Sequence, residues 1–167
     1  MKQRRLWLRA LSATALLWIA GCAQPPKGTL LQDPASPIWR GRLALRVAGD
    51  PPQSFFAGFE LRGDATQGEL RLYSPLGATL AELRWSPQAV TLADNAGTRT
   101  FDSLDSLTAQ ATGAALPIQA LFQWLTGTQA RVDGWDVDLS QLEEAGRLTA
   151  RRTPPEPATE LRLILER

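Results

Sequence analysis

Residues 69–85 read Glu-Leu-Arg-Leu-Tyr-Ser-Pro-Leu-Gly-Ala-Thr-Leu-Ala-Glu-Leu-Arg-Trp, two alternating runs around a short connection. Alternation of apolar and polar side chains is typical of half-buried β-strands. The apolar positions that share a face are Leu70 and Leu72 in the first run, and Ala81, Leu83 and Trp85 in the second. The stretch therefore predicts a β-hairpin with one face turned towards a core.

The connection in this hairpin, residues 74–78, is predicted to be a tight turn. Pro75 fixes its own φ angle, and Gly77 can adopt a positive φ. Leu76 then lies at the tip of the turn. The pattern leaves two interpretations of Leu76 open: its side chain folds back over the edge of the sheet, or it points away from the protein towards another molecule.

Further alternating runs predict strands along the rest of the chain, and a change of period predicts two helices. Strands are expected at residues 41–48, 54–61, 89–93, 98–101, 135–139, 147–152 and 161–166. Helices are expected at residues 103–112 and 117–127, where apolar residues recur every three or four positions. Because the connections between most consecutive strands are short, the strands are expected to pair antiparallel. The expected fold class is mainly β with helices (α+β).

The N-terminus reads as a secretory signal peptide, residues 1–21. Its basic residues are Lys2, Arg4, Arg5 and Arg9, and an apolar run follows at residues 10–20. That run is too short for a stable membrane span. It ends in Trp-Ile-Ala-Gly-Cys, which resembles the lipobox of bacterial lipoproteins, so Cys22 is expected to carry lipid. Cys22 is the sole cysteine, so no disulfide can form within one chain.

Lipid on Cys22 predicts a durable membrane anchor, because two or more acyl chains hold a protein on a bilayer where one does so only marginally. Ala23 follows the cysteine and is compatible with sorting to the outer membrane. The proline-rich residues 22–38 are interpreted as a tether. Residues 39–167 are expected to form a single domain.

Composition excludes several classes of function. The chain has 18 Lys and Arg and 17 Asp and Glu, and the signal peptide contains four of the basic residues, so the mature charge is 14 − 17 = −3. This charge balance is not typical of proteins that bind nucleic acid. The chain has no histidine, which excludes His-based triads, Cys-His pairs and ordinary zinc sites. Asp102 and Asp105 are interpreted as helix-start residues, and Glu143 and Glu144 as a solvated pair. Neither an enzyme nor a metal or cofactor is expected.

Several motifs occur in an order that resembles one known family. After the lipobox come Ser-Pro-Leu-Gly-Ala-Thr at 74–79, Asp-Asn-Ala-Gly-Thr-Arg at 94–99, and a helical stretch at 116–127 that begins Leu-Pro-Ile and ends Leu-Thr-Gly. This succession resembles LolB, a family of outer-membrane lipoproteins that receive lipoproteins from a periplasmic carrier. The resemblance implies an incomplete, strongly curved antiparallel barrel, an open β-barrel with helices covering its concave side.

The resemblance also implies a function and its partners. The protein would accept acylated lipoprotein cargo from a LolA-like periplasmic carrier into an apolar cavity and place it in outer-membrane lipid, acting as a monomer at the periplasmic face. The implied insertion loop is Pro75, Leu76 and Gly77. The candidate cavity residues, taken from the inward faces of the strands and from the second helix, are Leu43, Leu45, Phe55, Phe59, Leu70, Leu72, Ala81, Leu83, Trp85, Leu121 and Phe122.

The sequence departs from the family pattern at three places. Arg40 and Gly41 follow Trp39 at once, so the family's helix between that tryptophan and the first strand is not expected here. Phe59 stands where a tryptophan is common. The segment after Leu139 is short, which raises the alternative of a missing strand and a more open barrel. Two other functions stay open: a passive structural lipoprotein with a solid core, and a hydrolase that uses carboxylates.

Overall fold

The computed structural model describes residues 37–166, which form one sheet of nine antiparallel strands with helices against it. The predicted signal peptide, Cys22 and the tether up to residue 36 lie outside the described residues. The first strand begins at Ile38, one residue before the domain boundary expected from the sequence. It contains Trp39, so no helix separates that tryptophan from the first strand.

The strands and helices follow one another in the order expected from the sequence. The strands are β1 (Ile38–Val47), β2 (Gln53–Gly63), β3 (Gly68–Tyr73), β4 (Thr79–Trp85), β5 (Val90–Asp94), β6 (Gly97–Phe101), β7 (Trp135–Asp138), β8 (Arg147–Arg152) and β9 (Thr159–Leu165). The helices are α1 (Leu104–Thr112), α2 (Ile118–Leu125) and the single-turn α3 (Leu142–Ala145). No helix within residues 37–166 has the length and apolar character needed to cross a membrane.

The sheet is open at its two ends. Its strand order is β6-β5-β4-β3-β2-β1-β9-β8-β7, so β1 to β6 form a meander and β9 returns to pair with β1. Among the described strands, β6 and β7 lie at opposite ends of the order and do not pair with each other. The predicted fold class, a mainly β protein with an incomplete antiparallel barrel, is confirmed.

The hairpin at residues 69–85 has the predicted faces, and the structure shows its register. Leu70 pairs with Leu83, and Gly68 pairs with Trp85. Gly68 permits the tryptophan ring to lie flat against the strand, since a Cβ atom at this position would stand 2.1 Å from Cζ2 of Trp85. The indole Nε1 of Trp85 donates a hydrogen bond of 3.0 Å to the carbonyl of Asp64.

The two predicted helices form where the spacing of apolar residues changes from every second position to every third or fourth. Ser103 caps α1: its side chain accepts from the backbone N–H of Ser106 at 3.1 Å, and the Ser106 hydroxyl accepts from the backbone N–H of Ser103 at 3.2 Å. α1 packs against β5 and β6, and it ends at Gly113, whose φ is 80°. The third helix, α3, was not predicted, because one helical turn is too short to display a period.

Candidate functional site

A partly open apolar cavity of about 370 Å³ lies between α1 and the end of the sheet where β1 ends and β2 begins. Its size is at the lower end of the range typical of ligand pockets, about 300 to 1,000 Å³. Its apolar lining consists of Leu43, Leu45, Val47, Phe55, Leu70, Leu72, Leu80, Ala81, Leu83, Leu92, Leu107, Ala111, Leu116, Ile118 and Leu161. The arrangement can hold a hydrocarbon group in contact with aliphatic side chains.

The structure brings seven of the eleven candidate cavity residues together around this cavity. They are Leu43, Leu45, Phe55, Leu70, Leu72, Ala81 and Leu83. They come from the inward faces of four adjacent strands, β1 to β4, and α1 lies opposite them. Strand alternation was the signal that located them, because it separates the inward face from the outward face.

The other four candidates lie outside the cavity, in densely packed core. Phe59, Trp85, Leu121 and Phe122 are all buried in the same hydrophobic cluster. The ring of Phe122 lies 5.6 Å from that of Trp39 in an edge-to-face arrangement and 6.0 Å from that of Trp85. Large side chains of α2 pack against the sheet, and none of the four residues lines the cavity.

Trp124 has a similar place in the packed half. It is 1% exposed, its indole Nε1 donates to the carbonyl of Ala130 at 3.0 Å, and its ring lies 6.4 Å from Trp135. The interior is therefore divided between two helices. α2 covers the packed half and contributes only Ile118 to the cavity, whereas α1 covers the hollow half, which its residues Leu107 and Ala111 line.

The mouth of the cavity carries an ion pair that the sequence analysis did not identify as part of a site. Nη2 of Arg99 lies 2.5 Å from Oδ2 of Asp94, and both residues line the cavity while remaining partly exposed. The backbone N–H of Ala96 donates to Asp94 at 2.8 Å. This hydrogen bond, together with Arg99, lowers the pKa of the Asp94 carboxyl below its ordinary value. Asp94 is thus held in its charged form beside an apolar interior.

The turn between β3 and β4 is fixed by three hydrogen bonds. The N–H of Ser74 donates to the Ala78 carbonyl at 2.8 Å, and the N–H of Gly77 donates to the Ser74 carbonyl at 2.9 Å. The N–H of Ala78 also donates to the Ser74 hydroxyl, at 3.2 Å. Gly77 has a φ of 84°, as the sequence suggested. The backbone of the turn is therefore well defined although its side chains are exposed.

Leu76 at the tip of this turn is 97% exposed. The interpretation in which its side chain folds back over the sheet is therefore wrong. The turn continues from the same hairpin end that contributes Leu72, Leu80 and Ala81 to the cavity. The exposed leucine and the apolar cavity consequently belong to the same end of the sheet.

Three buried or half-buried carboxylates lie on the outer face of the sheet and do not line the apolar cavity. Glu60, Glu69 and Glu82 are paired with arginines on the outer face of the sheet. Burial raises the pKa of Glu60, but hydrogen bonds from Arg62 and Arg40 outweigh it, so the pKa is lowered, which is the opposite of what a general acid requires. In the part of the chain that the structure describes, no group of three or more His, Cys, Asp or Glu could hold a metal ion.

Comparison with known proteins identifies the family of the chain. Residues 38–156 match the family described as outer membrane lipoprotein LolB. The chain belongs to the LolB family. The matched residues include β1 to β8 and both predicted helices, so they contain the cavity wall formed by β1 to β4 and α1 as well as the Leu76 turn.

Individual LolB relatives resemble the chain over most of its length. The outer-membrane lipoprotein LolB of Alkalilimnicola ehrlichii is 34% identical over 157 residues, which covers 88% of this chain and 76% of the relative. The outer-membrane lipoprotein LolB of Bordetella petrii is 30% identical over 175 residues, which covers 90% of this chain and 86% of the relative. That of Halorhodospira halophila is 38% identical over a shorter stretch, 64% of this chain and 51% of the relative.

Proposed function

We propose that this protein is an outer-membrane receptor that accepts acylated lipoproteins from a periplasmic carrier into its apolar cavity and places them in the outer membrane. The observation that carries the proposal is the cavity beneath α1, since a passive structural lipoprotein would need only a filled core. Membership of the LolB family and the outer-membrane lipoprotein names of its relatives support the location. Lipid on Cys22 would anchor the protein there.

The physical need for such a cavity follows from the cargo. Each buried methylene contributes about 0.8 kcal/mol, so an acyl chain of about fifteen methylenes costs roughly 12 kcal/mol to expose to water. Free passage of that chain through an aqueous compartment is therefore negligibly slow. A receptor avoids this cost when its cavity accepts the chain directly from the carrier, whose identity as a LolA-like protein is part of the proposal.

The Leu76 turn supplies a route from the cavity to the bilayer. Its leucine is almost fully exposed, and it extends from the hairpin end that lines the cavity. We infer that Leu76 dips into the membrane and helps the cargo leave the cavity. Its flanking residues Pro75 and Gly77 shape the turn.

The test is transfer of a fluorescent lipoprotein from a loaded carrier to the full-length protein in vesicles. Ala111→Trp should slow transfer, because Ala111 lines the cavity and a large ring there would occupy it. Ala109→Trp is the matched control, since Ala109 lies on the same helix, is also exposed and does not line the cavity. Equal transfer by the two variants would refute the role of the cavity.

A further inference from the structure

Phe56 is an exposed aromatic side chain on the outer face of β2. It is 59% exposed, whereas its neighbours Phe55 and Ala57 face the interior. A large exposed apolar group that the core does not use suggests contact with another surface. Phe56 takes no part in the cavity, because it points away from it.

The register places Phe56 at the same end of the sheet as the Leu76 turn. Gly58 pairs with Tyr73, the last residue of β3. Phe56 lies two residues beyond that pair, on the same face of β2 and in the direction of the turn at residues 74–78. The two most exposed large hydrophobic side chains within residues 37–166, Leu76 and Phe56, therefore share one end of the sheet.

Two arginines flank Phe56 across the strand pair. Phe56 is opposite Ala44 of β1, so Arg42 and Arg46 are its diagonal neighbours on the outer face. Both arginines are exposed, and neither forms an ion pair or a side-chain hydrogen bond with any of residues 37–166. On the other side of β1, Ile164 is opposite Arg42 and is 49% exposed. These four residues, Arg42, Arg46, Phe56 and Ile164, form a basic–apolar patch.

The neighbouring part of the outer face has a different character. There the charged residues of β1 to β4 form a network in which arginines and glutamates alternate. Its ion pairs include Arg40–Glu60 at 2.6 Å, Arg62–Glu60 at 2.7 Å, Arg71–Glu69 at 2.6 Å, Arg71–Glu82 at 3.0 Å and Arg84–Glu82 at 2.7 Å. Positive charge in the network is thus largely neutralised within the protein, whereas the charges of Arg42 and Arg46 remain available to a partner.

We propose that the basic–apolar patch is a second membrane contact, in which Arg42 and Arg46 bind the phosphates of anionic phospholipids and Phe56 enters the interfacial region. The proposal rests on the proposed function, because it takes the Leu76 turn as the first contact with the bilayer. Guanidinium groups bind phosphate oxygens through paired N–H donors. Basic residues with an interleaved aromatic ring are typical of surfaces that lie on anionic membranes.

This arrangement fixes how the domain lies on the membrane. One exposed leucine gives a single pivot, about which the domain could tilt freely. A second contact on the outer face of β2 restricts the tilt and holds the Leu76 turn against the bilayer. The mature chain carries a net charge of −3, so the attraction to anionic lipid must come from a local patch.

The experiment uses the full-length protein reconstituted in phosphatidylethanolamine vesicles with or without phosphatidylglycerol. Lipidated Cys22 has no free thiol, so an introduced cysteine can be labelled alone with the environment-sensitive dye NBD. Phe56→Cys should show blue-shifted emission that requires phosphatidylglycerol. Ile38→Cys is the matched control, because Ile38 is exposed at the other end of β1 and should report water in both vesicles.

Charge variants then test the arginines. Arg42→Gln and Arg46→Gln should each lower the ratio of membrane-inserted to water-exposed dye at position 56 about fivefold. The reason is that one basic residue near an anionic surface contributes about one kcal/mol. Arg131→Gln is the control and should have no effect. Arg131 lies in the loop between α2 and β7, close in space to the beginning of α1. Unfolding midpoints check that each variant is folded.

Three outcomes would overturn the proposal. Emission typical of water at position 56 in both vesicles would do so, as would a shift that does not depend on phosphatidylglycerol. A shift that appears only when the carrier is added would make the patch a protein-docking surface instead. Cargo transfer by the unsubstituted protein is measured in the same vesicles. Intact transfer with no signal at position 56 of the labelled variant rejects this patch alone. A signal at position 56 without transfer by the unsubstituted protein rejects the proposed function and leaves the patch as a membrane contact.

Discussion

The ring of Phe122 in α2 lies 6.0 Å from the ring of Trp85 in β4, so the second helix packs directly on the fourth strand. Trp39 packs against the same phenylalanine at 5.6 Å, edge to face. Aromatic pairs at such separations contribute beyond the area that they bury. The aromatic cluster stabilises the fold at one end of the sheet, so the other end can remain hollow.

This division predicts unequal effects of truncation in the two halves. Phe122→Ala should lower the free energy of unfolding by about 3–5 kcal/mol, because it leaves a new void in packed core. Leu72→Ala should cost less, below about 2 kcal/mol, since Leu72 is half-buried and already borders a cavity. Urea unfolding of both variants measures the difference. Similar losses for the two would contradict a hollow half.

The contact between Gly68 and Trp85 predicts a strict need for glycine. Gly68→Ala should destabilise the protein by about 1–3 kcal/mol, because its Cβ would collide with the indole ring. Gly58→Ala is the control, since a Cβ there would stand 3.6 Å from the Cβ of Tyr73, an ordinary contact. The comparison is made by thermal or urea unfolding. If the two variants were equally stable, the ring would not lie against β3 as described.

The exposed turn predicts a loss of delivery without a loss of stability. Leu76→Glu should leave the free energy of unfolding within about 0.5 kcal/mol of the parent, because the leucine makes little contact with the protein. Cargo should still bind, but its transfer into vesicles should stop, since a charged tip resists entry into hydrocarbon. Ala78→Glu, which adds the same charge to an exposed position in the same turn, should retain most of the transfer. Normal delivery by Leu76→Glu would remove the turn from the mechanism.

The ion-pair network predicts a dependence of stability on pH. The pKa of Glu60 in the folded protein is lowered from its ordinary value of 4.5, because the hydrogen bonds from Arg62 and Arg40 outweigh the effect of burial. A lowered folded-state pKa means that the stabilisation is present above the unfolded pKa and is lost as the pH falls through the folded value.

Glu60→Gln isolates this contribution. The variant should be less stable than the parent near neutral pH, and its stability should fall less when the pH is lowered from about 7 to about 3. Urea midpoints across that range give the comparison. A parent and variant with parallel pH profiles would show that the pairing of Glu60 does not stabilise the fold.

The sequence alone predicted the strands, because their alternation is a local property of the chain. Leu70, Leu72, Ala81 and Leu83 could be assigned to one inward face before any contact was known. Gly68 and its contact with Trp85 could not, since the approach of a ring to a glycine depends on the register between two strands. The single turn of α3 was equally invisible to periodicity.

The candidate site was predicted only in part, and the reason lies in the helices. Alternation gives Phe55 and Phe59 the same inward direction, yet Phe55 lines the cavity and Phe59 is enclosed in core. What distinguishes them is the place of the cavity, which lies beside the beginning of β2, and this is a tertiary relationship. Asp94 and Arg99 belong to a motif that the sequence shows, but their place in the cavity lining depends on how the strands and α1 come together.

The central claim is that acyl chains of the cargo enter the hollow beneath α1. The most direct test replaces Phe55 with the photoreactive analogue benzoylphenylalanine and adds a carrier loaded with a lipoprotein that is radiolabelled in its acyl chains. Ile38, exposed on the outer face at the other end of the sheet, receives the same analogue as a control. We predict that irradiation joins the label to position 55 and not to position 38. An unlabelled position 55, in a protein that still delivers its cargo, would contradict the account.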